Sequence, residues 1–136
     1  MPDRVILDSG VIAAIFFKEE SSDRAEKVAE NYELITVDLA IAEVANVAWK
    51  RVIFFNESKE VALKAVKKSV DFILGVCKVI SSQEVIEDAF EIAITDKITI
   101  YDSLFIAASE REKAPLMTTD AKLHEKVKSK RSLKLI

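Results

Sequence analysis

The chain has 136 residues, of which 50% are hydrophobic and 32% charged, so it can bury a core and is not disordered by composition. The formal net charge is −3, so any affinity for nucleic acid must come from a local basic patch or from bound metal ions. One cysteine, Cys77, excludes an intrachain disulfide and a cysteine-based zinc knuckle, and no apolar run is long enough to predict a membrane span. We therefore expect a single domain over residues 1–136 in a reducing, cytoplasmic setting.

The predicted elements alternate between short strands and longer helices. In chain order, the pattern predicts strand 4–7, helix 10–17, a helix from about 22 to 30, strand 34–37, helix 39–54, helix 57–74, strand 76–80, helix 82–94, an extended segment 99–101, helix 103–113, strand 116–118, helix 121–127 and an edge strand 133–136. Asp38, Asn56 and Ser81 are the predicted caps of the third, fourth and fifth helices. This alternation predicts an α/β domain with a mostly parallel sheet and helices on both faces.

Three aspartates follow strands or extended segments and precede helices. They are Asp8, Asp102 and Asp120. Aspartate is a favoured helix N-cap, and capping accounts for any one of them taken alone. Ligands of parallel sheets bind beyond the carboxyl ends of the strands, so three acids at that edge together indicate a binding site.

A fourth acid, Glu43, lies in the middle of a predicted helix, where it cannot be a cap. The segment LAIAEVANVAW contains only two polar side chains, Glu43 and Asn46, and their spacing places both on one helix face. Two polar residues on one face of an otherwise apolar helix indicate that Glu43 lines a cleft. The alternative is that Glu43 is an exposed residue at the margin of the buried face.

Four carboxylates within ~5 Å of one another would repel by about 3 kcal/mol per pair at an effective dielectric of 20. The sum over the pairs exceeds the whole stability of a typical domain, ~5–15 kcal/mol, so such a cluster must take up protons or bind cations. Oxygen ligands without nearby cysteine or histidine select Mg²⁺ or Mn²⁺, and the one histidine, His124, is predicted to be a surface residue. One or two such ions would support hydrolysis or transfer at phosphorus.

Four segments, VILDSGVI, AEVANVAWK, IYDSLFIAAS and MTTDAKL, together resemble the motifs of PIN-domain nucleases. The likeness runs from Val5 to about Leu123 and is greatest to VapC-type toxins of prokaryotic toxin–antitoxin pairs. This resemblance implies a three-layer α/β/α fold, Mg²⁺- or Mn²⁺-dependent cleavage of RNA, a short VapB-like antitoxin as partner, and a homodimer.

The family's acidic motif positions correspond to four residues of this chain, with the first three forming the metal-binding core: Asp8, Glu43, Asp102 and Asp120. Three small polar residues match supporting positions, for which a purely structural hydrogen bond is the alternative: Ser9, Asn46 and Thr118. The chain departs from the family at Gly10, where asparagine or serine is common.

Other enzyme classes fit less well. Haloacid-dehalogenase-like phosphatases need a second acid two residues after Asp8, where this chain has Gly10, and receiver domains need an acid pair at the first strand that is also absent. An RNA-processing PIN nuclease and a catalytically silent binding module on the same scaffold stay open.

Some residues outside the motifs carry weaker expectations. The basic string from Lys126 to Lys134 is either a solvated helix face or a contact for RNA phosphates, and Lys18, Lys50 and Arg51 are alternative phosphate contacts. Asp96 is predicted to be a loop residue. Four aromatic residues are predicted to lie in the core or in a dimer surface: Trp49, Phe54, Phe55 and Phe72.

Overall fold

The computed structural model describes residues 3–136, and within them the chain forms a sheet flanked by helices. The strands are β1 (Arg4–Leu7), β2 (Glu33–Val37), β3 (Lys78–Ile80), β4 (Leu116–Thr118) and β5 (Leu133–Leu135). The helices are α1 (Ser9–Phe16), α2 (Ser22–Asn31), α3 (Leu39–Phe55), α4 (Lys59–Gly75), α5 (Ser82–Asp96), α6 (Ile100–Glu112) and α7 (Ala121–Val127).

The five strands pair in the order β3-β2-β1-β4-β5, and every pair is parallel. The central strands are apolar and buried, as expected for a parallel sheet that is covered on its faces. The chain builds β2 and β3 on one side of β1 and then β4 and β5 on the other, so the order switches between β1 and β4. The predicted α/β class with a mostly parallel sheet is confirmed, and the crevice beyond this switch point is where such folds bind ligands.

The helices form packed groups around the sheet. α1 packs against α2, α3 and α4, whereas α5 packs on α6, which contacts β1, β2 and β4. The largest fully buried side chains include Ile6 and Leu7 of β1, Ile35 of β2, Leu116 of β4 and Ile106 of α6. These packed residues hold the strand ends rigidly, which matters because the candidate site is built there. Within residues 3–136, no helix combines the length and apolarity needed to cross a bilayer.

The predicted extended segment 99–101 is wrong, because α6 already begins at Ile100. β-branched and aromatic residues here favour a strand locally, but the Thr99 hydroxyl accepts the backbone N–H of Asp102 at 3.1 Å and starts the helix. The early start carries Asp102 into the first helical turn.

Of the predicted caps, Asn56 is wrong, and Asp38 stands at the N-cap position of α3 without forming a capping hydrogen bond. Asn56 ends α3 in the left-handed conformation, with φ 58°, and Ser58 caps α4 through the backbone N–H of Val61. Asp38 caps no helix by its side chain, and instead accepts hydrogen bonds from the backbone N–H and the hydroxyl of Ser82. At Asn56, the nearby Ser58 takes the capping role, whereas at Asp38 the hydrogen bonds come from Ser82, 44 positions along the chain, so local spacing predicts neither outcome.

The aromatic residues near the end of α3 are not core residues. Trp49, Phe54 and Phe55 are more than half exposed, with Phe55 the most exposed at 73%. Phe72 is partly buried and packs edge-on against Phe16 with ring centroids 5.4 Å apart.

Candidate active site

Asp8 and Asp120 stand at the carboxyl ends of the two strands that flank the switch point. Asp8 follows β1 and caps α1, accepting the backbone N–H of Val11 at 2.9 Å. Asp120 lies two residues beyond β4 and caps α7, accepting the backbone N–H of Leu123 at 3.0 Å. Each cap uses one carboxylate oxygen, so capping fixes the side chain and leaves a second oxygen for other work.

Thr118 joins these two acids. Its buried hydroxyl donates to Asp8 Oδ2 and accepts the backbone N–H of Asp120 at 3.0 Å. The residue that ends β4 therefore orients the acid that follows β1.

Glu43 reaches the same region from α3. Its Oε1 accepts a hydrogen bond of 2.5 Å from the Ser9 hydroxyl, and Ser9 is buried at the start of α1. Asn46 lies one turn further along α3. Ser9 thus contacts Glu43 directly, while Asn46 forms no side-chain hydrogen bond within residues 3–136 and lines the cavity described next.

Asp102 reaches the site as the third residue of α6. It does not cap the helix, since Thr99 does, so the interpretation of Asp102 as a cap is wrong. Both of its carboxylate oxygens are free of helix capping. A carboxylate in the first turn is still favoured by the positive helix end.

All four acids line one cavity of about 310 Å³. Its remaining walls come from α1, α3, α6 and the loop after β4: Ser9, Gly10, Asn46, Val47, Lys50, Phe105 and Thr119. A larger cavity of about 460 Å³ lies elsewhere, where Arg4 and Glu33 mark the amino ends of β1 and β2, and no aspartate lines it. We take the acid-lined cavity as the candidate active site and call it the acid cavity.

Three acids in this cavity, Asp8, Glu43 and Asp102, have pKa values above their usual range. Burial raises the pKa of Asp8 from 3.8 to about 6; hydrogen bonds from Thr118 and Val11 oppose the shift, and the charges of Asp102 and Asp120 add to it.

Burial likewise raises the pKa of Glu43 and of Asp102, with a neighbouring carboxylate adding to each shift: Asp102 for Glu43, and Asp120 for Asp102. None of the four acids forms an ion pair with any residue between 3 and 136.

The sequence profile of the PIN domain matches residues 5–129. The chain belongs to the PIN-domain family. A relative named Ribonuclease VapC3, from Pyrobaculum aerophilum, is 36% identical over 124 residues, which cover 90% of this chain and 94% of that protein. The predicted resemblance is thereby confirmed.

Two solved structures share the fold. VapC20 of Mycobacterium tuberculosis, described as a Sarcin-Ricin loop cleaving toxin, superposes with a TM-score of 0.71 at 12% identity, covering 93% of this chain and 95% of that one. VapBC2 of Rickettsia felis, solved bound to a DNA fragment from its promoter, gives a TM-score of 0.63 at 16% identity, covering 98% of each chain. At these identities the likeness shows the architecture alone.

The donor set of this PIN domain suits a hard divalent cation. Among residues 3–136, no three acidic, histidine or cysteine side chains stand close enough to ligate one ion directly. The four acids are therefore more widely spaced than in the sequence-based prediction, in which all of them lie close together. Mg²⁺ fits this spacing, because it keeps several of its waters and typically takes only one or two carboxylates. A cation that enters the acid cavity would stabilise the ionised form of the carboxylates whose pKa values are raised, because they have no ion-pair partner.

The neighbouring Thr119 explains why this PIN domain departs from its family pattern by having glycine at position 10. A Cβ atom at Gly10 would collide with the Thr119 hydroxyl and would lie 3.4 Å from Asp8 Oδ1. Thr119 lines the cavity and was missed from the sequence, where nothing distinguishes it from Thr118 beside it. The hydroxyl of Thr119 therefore occupies space that a side chain at position 10 would need.

Asp96 lies outside the site, and its prediction as a loop residue is wrong. It is the last residue of α5, is buried, and forms a two-pronged ion pair with Arg131 at 2.8 and 3.0 Å. Arg131 also pairs with Glu110 at 2.8 Å, so this member of the C-terminal basic string is structural. His124 is partly exposed, as predicted for a residue near the surface.

Proposed function

We propose that this PIN domain is a metal-dependent endoribonuclease that acts as the toxin of a toxin–antitoxin pair. The observation that carries the proposal is the acid cavity, where four carboxylates without ion-pair partners meet beyond the carboxyl ends of β1 and β4. The 36% identity to a protein named as a VapC ribonuclease supports the choice of RNA as substrate.

Asp8, Glu43 and Asp102 would hold one or two Mg²⁺ or Mn²⁺ ions, in part through the waters of the ion, with Asp120 as the fourth acid. The bound cation would lower the pKa of a water molecule and offset negative charge at the scissile phosphate. The chain's own residues prepare for this: Ser9 orients Glu43, and Thr118 orients Asp8. The rigid caps of α1 and α7 keep two carboxylates in position before substrate arrives.

Cleavage of labelled RNA by the purified protein tests the enzymatic part. We expect cutting with Mg²⁺ or Mn²⁺, its loss in EDTA, and a fall of at least about 100-fold in Asp102→Asn. Asp88→Asn, on the exposed side of α5, is the matched control and keeps full activity. Cleavage that survives EDTA or the Asp102→Asn change would contradict the mechanism, and RNA binding without cleavage under any metal would favour a silent binding module.

Two exposed apolar surfaces support a partner protein and a homodimer. One lies near the end of α3 and includes Trp49, Ile53, Phe54 and Phe55; the other runs along α5 at helical spacing and consists of Ile86, Phe90 and Ile94. Contiguous exposed apolar residues on a small protein commonly mark interaction sites.

Expression in a bacterial host tests the toxin assignment. We expect arrested growth with the wild type, normal growth with Asp102→Asn, and rescue by a short protein encoded next to this chain. Light scattering on the purified protein should give twice the chain mass. Active nuclease without toxicity, or without a neighbouring partner that restrains it, would indicate an RNA-processing enzyme instead.

A further inference from the structure

A second cavity, of about 380 Å³, adjoins the acid cavity and is lined by three lysines. The two cavities share Asp102 and Asp120 as walls. The lysines are Lys97, which follows α5, and Lys122 and Lys126 of α7. We call this second space the lysine cavity.

Two features hold this arrangement together. Lys122 and Lys126 are four residues apart in α7, so they lie on one helix face. The Lys126 ammonium donates to the backbone carbonyl of Lys97 at 2.7 Å, which ties α7 to the end of α5. The cations therefore come from two elements that are joined at this point.

The positive charge of the lysine cavity is not neutralised within the described chain, because the hydrogen bond from Lys126 goes to the uncharged carbonyl of Lys97. None of the three lysines forms an ion pair with an acidic side chain among residues 3–136, even though the protein is negatively charged overall. The three ammonium groups lie near two carboxylates but form no ion pair with them. Their positive charge is therefore available to bind an anion. Ile98 and Leu123 add an apolar wall, which suits the sugar or base of a nucleotide.

We infer that the lysine cavity binds the phosphate backbone of the RNA strand next to the scissile phosphate. The inference rests on the proposed function, because the shared walls Asp102 and Asp120 place the lysine cavity beside the acids that are proposed to act on that phosphate. Lys50 lines the acid cavity but not the lysine cavity, so the two groups of cations would bind different parts of the strand.

Two substitutions remove charge without threatening the fold. Lys97 has φ 58°, a left-handed conformation that glycine adopts more easily, so Lys97→Gly relieves the backbone while it removes the amine. Lys122 lies in the first turn of α7, where a cation is slightly unfavourable, so Lys122→Ala favours the helix. Lys68→Ala, an exposed lysine of α4 outside both cavities, is the matched control.

The first measurement is cleavage of single-stranded RNA over a range of salt concentrations. We expect the double variant Lys97→Gly/Lys122→Ala to raise KM by about three- to tenfold at low salt and to leave kcat near the wild-type value. The slope of log KM against log salt should fall by roughly 0.7 for each phosphate that the variant no longer neutralises. A KM and a salt slope equal to those of the wild type and of Lys68→Ala would overturn the inference.

The second measurement is RNA binding in an Asp102→Asn background, followed by fluorescence anisotropy, which requires no catalysis. Weaker binding in the double variant supports the inference even if the wild-type protein cleaves nothing, a result that would defeat the proposed function alone. RNA binding by the double variant equal to that of the Asp102→Asn protein would overturn the inference.

Discussion

Asp8 and Asp96 are both aspartates at helix ends, but the protein treats them in opposite ways. Asp8 stands at the amino end of α1, where the helix favours its charge, and yet burial raises its pKa to about 6. Asp96 stands at the carboxyl end of α5, where the helix disfavours its charge, and yet hydrogen bonds from Arg131 lower its pKa. In this pair, the presence or absence of a cationic partner outweighs the helix end: the partly buried Asp8 without a partner lines the candidate site, whereas the paired Asp96 stabilises the fold.

The sharpest test of this contrast is Asp8→Asn. We expect RNA cleavage to fall by at least about 100-fold, because the substitution removes a proposed metal-binding carboxylate. The metal-free protein should at the same time gain stability near pH 7, since a carboxylate that resists ionisation is gone. Activity assays and urea denaturation in EDTA measure the two effects, with Asp71→Asn on exposed α4 as control. A large loss of stability in Asp8→Asn would contradict this account, because it would show that the Asp8 carboxylate stabilises the fold as the Asp96 carboxylate does.

Asp96→Ala should have the opposite effects, with lower stability and unchanged activity. The Asp96 carboxylate is almost fully buried, so removing it leaves Arg131 without its main partner and should destabilise the fold by about 3 kcal/mol. Activity per folded molecule should stay at the wild-type level. Denaturant titration measures the first effect and cleavage below the unfolding transition the second. Equal stability of variant and wild type would show that the ion pair is dispensable.

The pH dependence of stability separates the two acids in the wild-type protein. The folded state of Asp8 holds its proton up to about pH 6, whereas the unfolded chain releases it near 3.8, so stability should fall as pH rises between these values. The loss should reach at most about 3 kcal/mol by pH 7 in EDTA. The lowered pKa of Asp96 acts with the opposite sign, since its contribution is present above the unfolded value and is lost at more acidic pH. Urea midpoints from pH 4 to 7 measure the change, and a midpoint that does not fall in wild type, or falls equally in Asp8→Asn, would contradict this account.

Added Mg²⁺ should offset that loss. At a concentration 100-fold above its dissociation constant, an ion that binds only the folded protein stabilises it by about 2.7 kcal/mol. We expect a higher melting temperature at pH 7, a smaller rise at pH 5, where protons compete, and no rise in Asp8→Asn. Asp96→Ala should respond to Mg²⁺ as the wild type does, because Asp96 lies outside the acid cavity.

Thr118→Val should have the smallest effect. Valine keeps the shape of the buried side chain but removes the hydroxyl that lowers the pKa of Asp8. We expect the Asp8 pKa to rise further and cleavage at neutral pH to fall by about tenfold or less. The pH profile of cleavage measures both, and a profile that does not move toward higher pH would show that the hydroxyl has no effect on Asp8.

The sequence was sufficient for the sheet, for most helices and for the shared location of the four acids. Strand ends and helix spacing are local patterns, and Asp8, Glu43, Asp102 and Asp120 were each recognisable from their own neighbourhood. Capping at Thr99 and Asn56 was misjudged because adjacent polar residues compete for the same bonds. Asp96 and Arg131 are 35 positions apart, so only the folded chain shows that they meet.

The close approach of Gly10 and Thr119 has a consequence for how such sequences diverge. The two positions share one small volume beside Asp8, although they lie on different elements and far apart in the chain. A lineage that acquires serine or asparagine at position 10 must turn the Thr119 hydroxyl away or replace it with a smaller side chain, so threonine at 119 favours glycine at 10. We therefore expect the two positions to covary. In aligned PIN-domain sequences, a larger side chain at position 10 should accompany a smaller side chain at position 119.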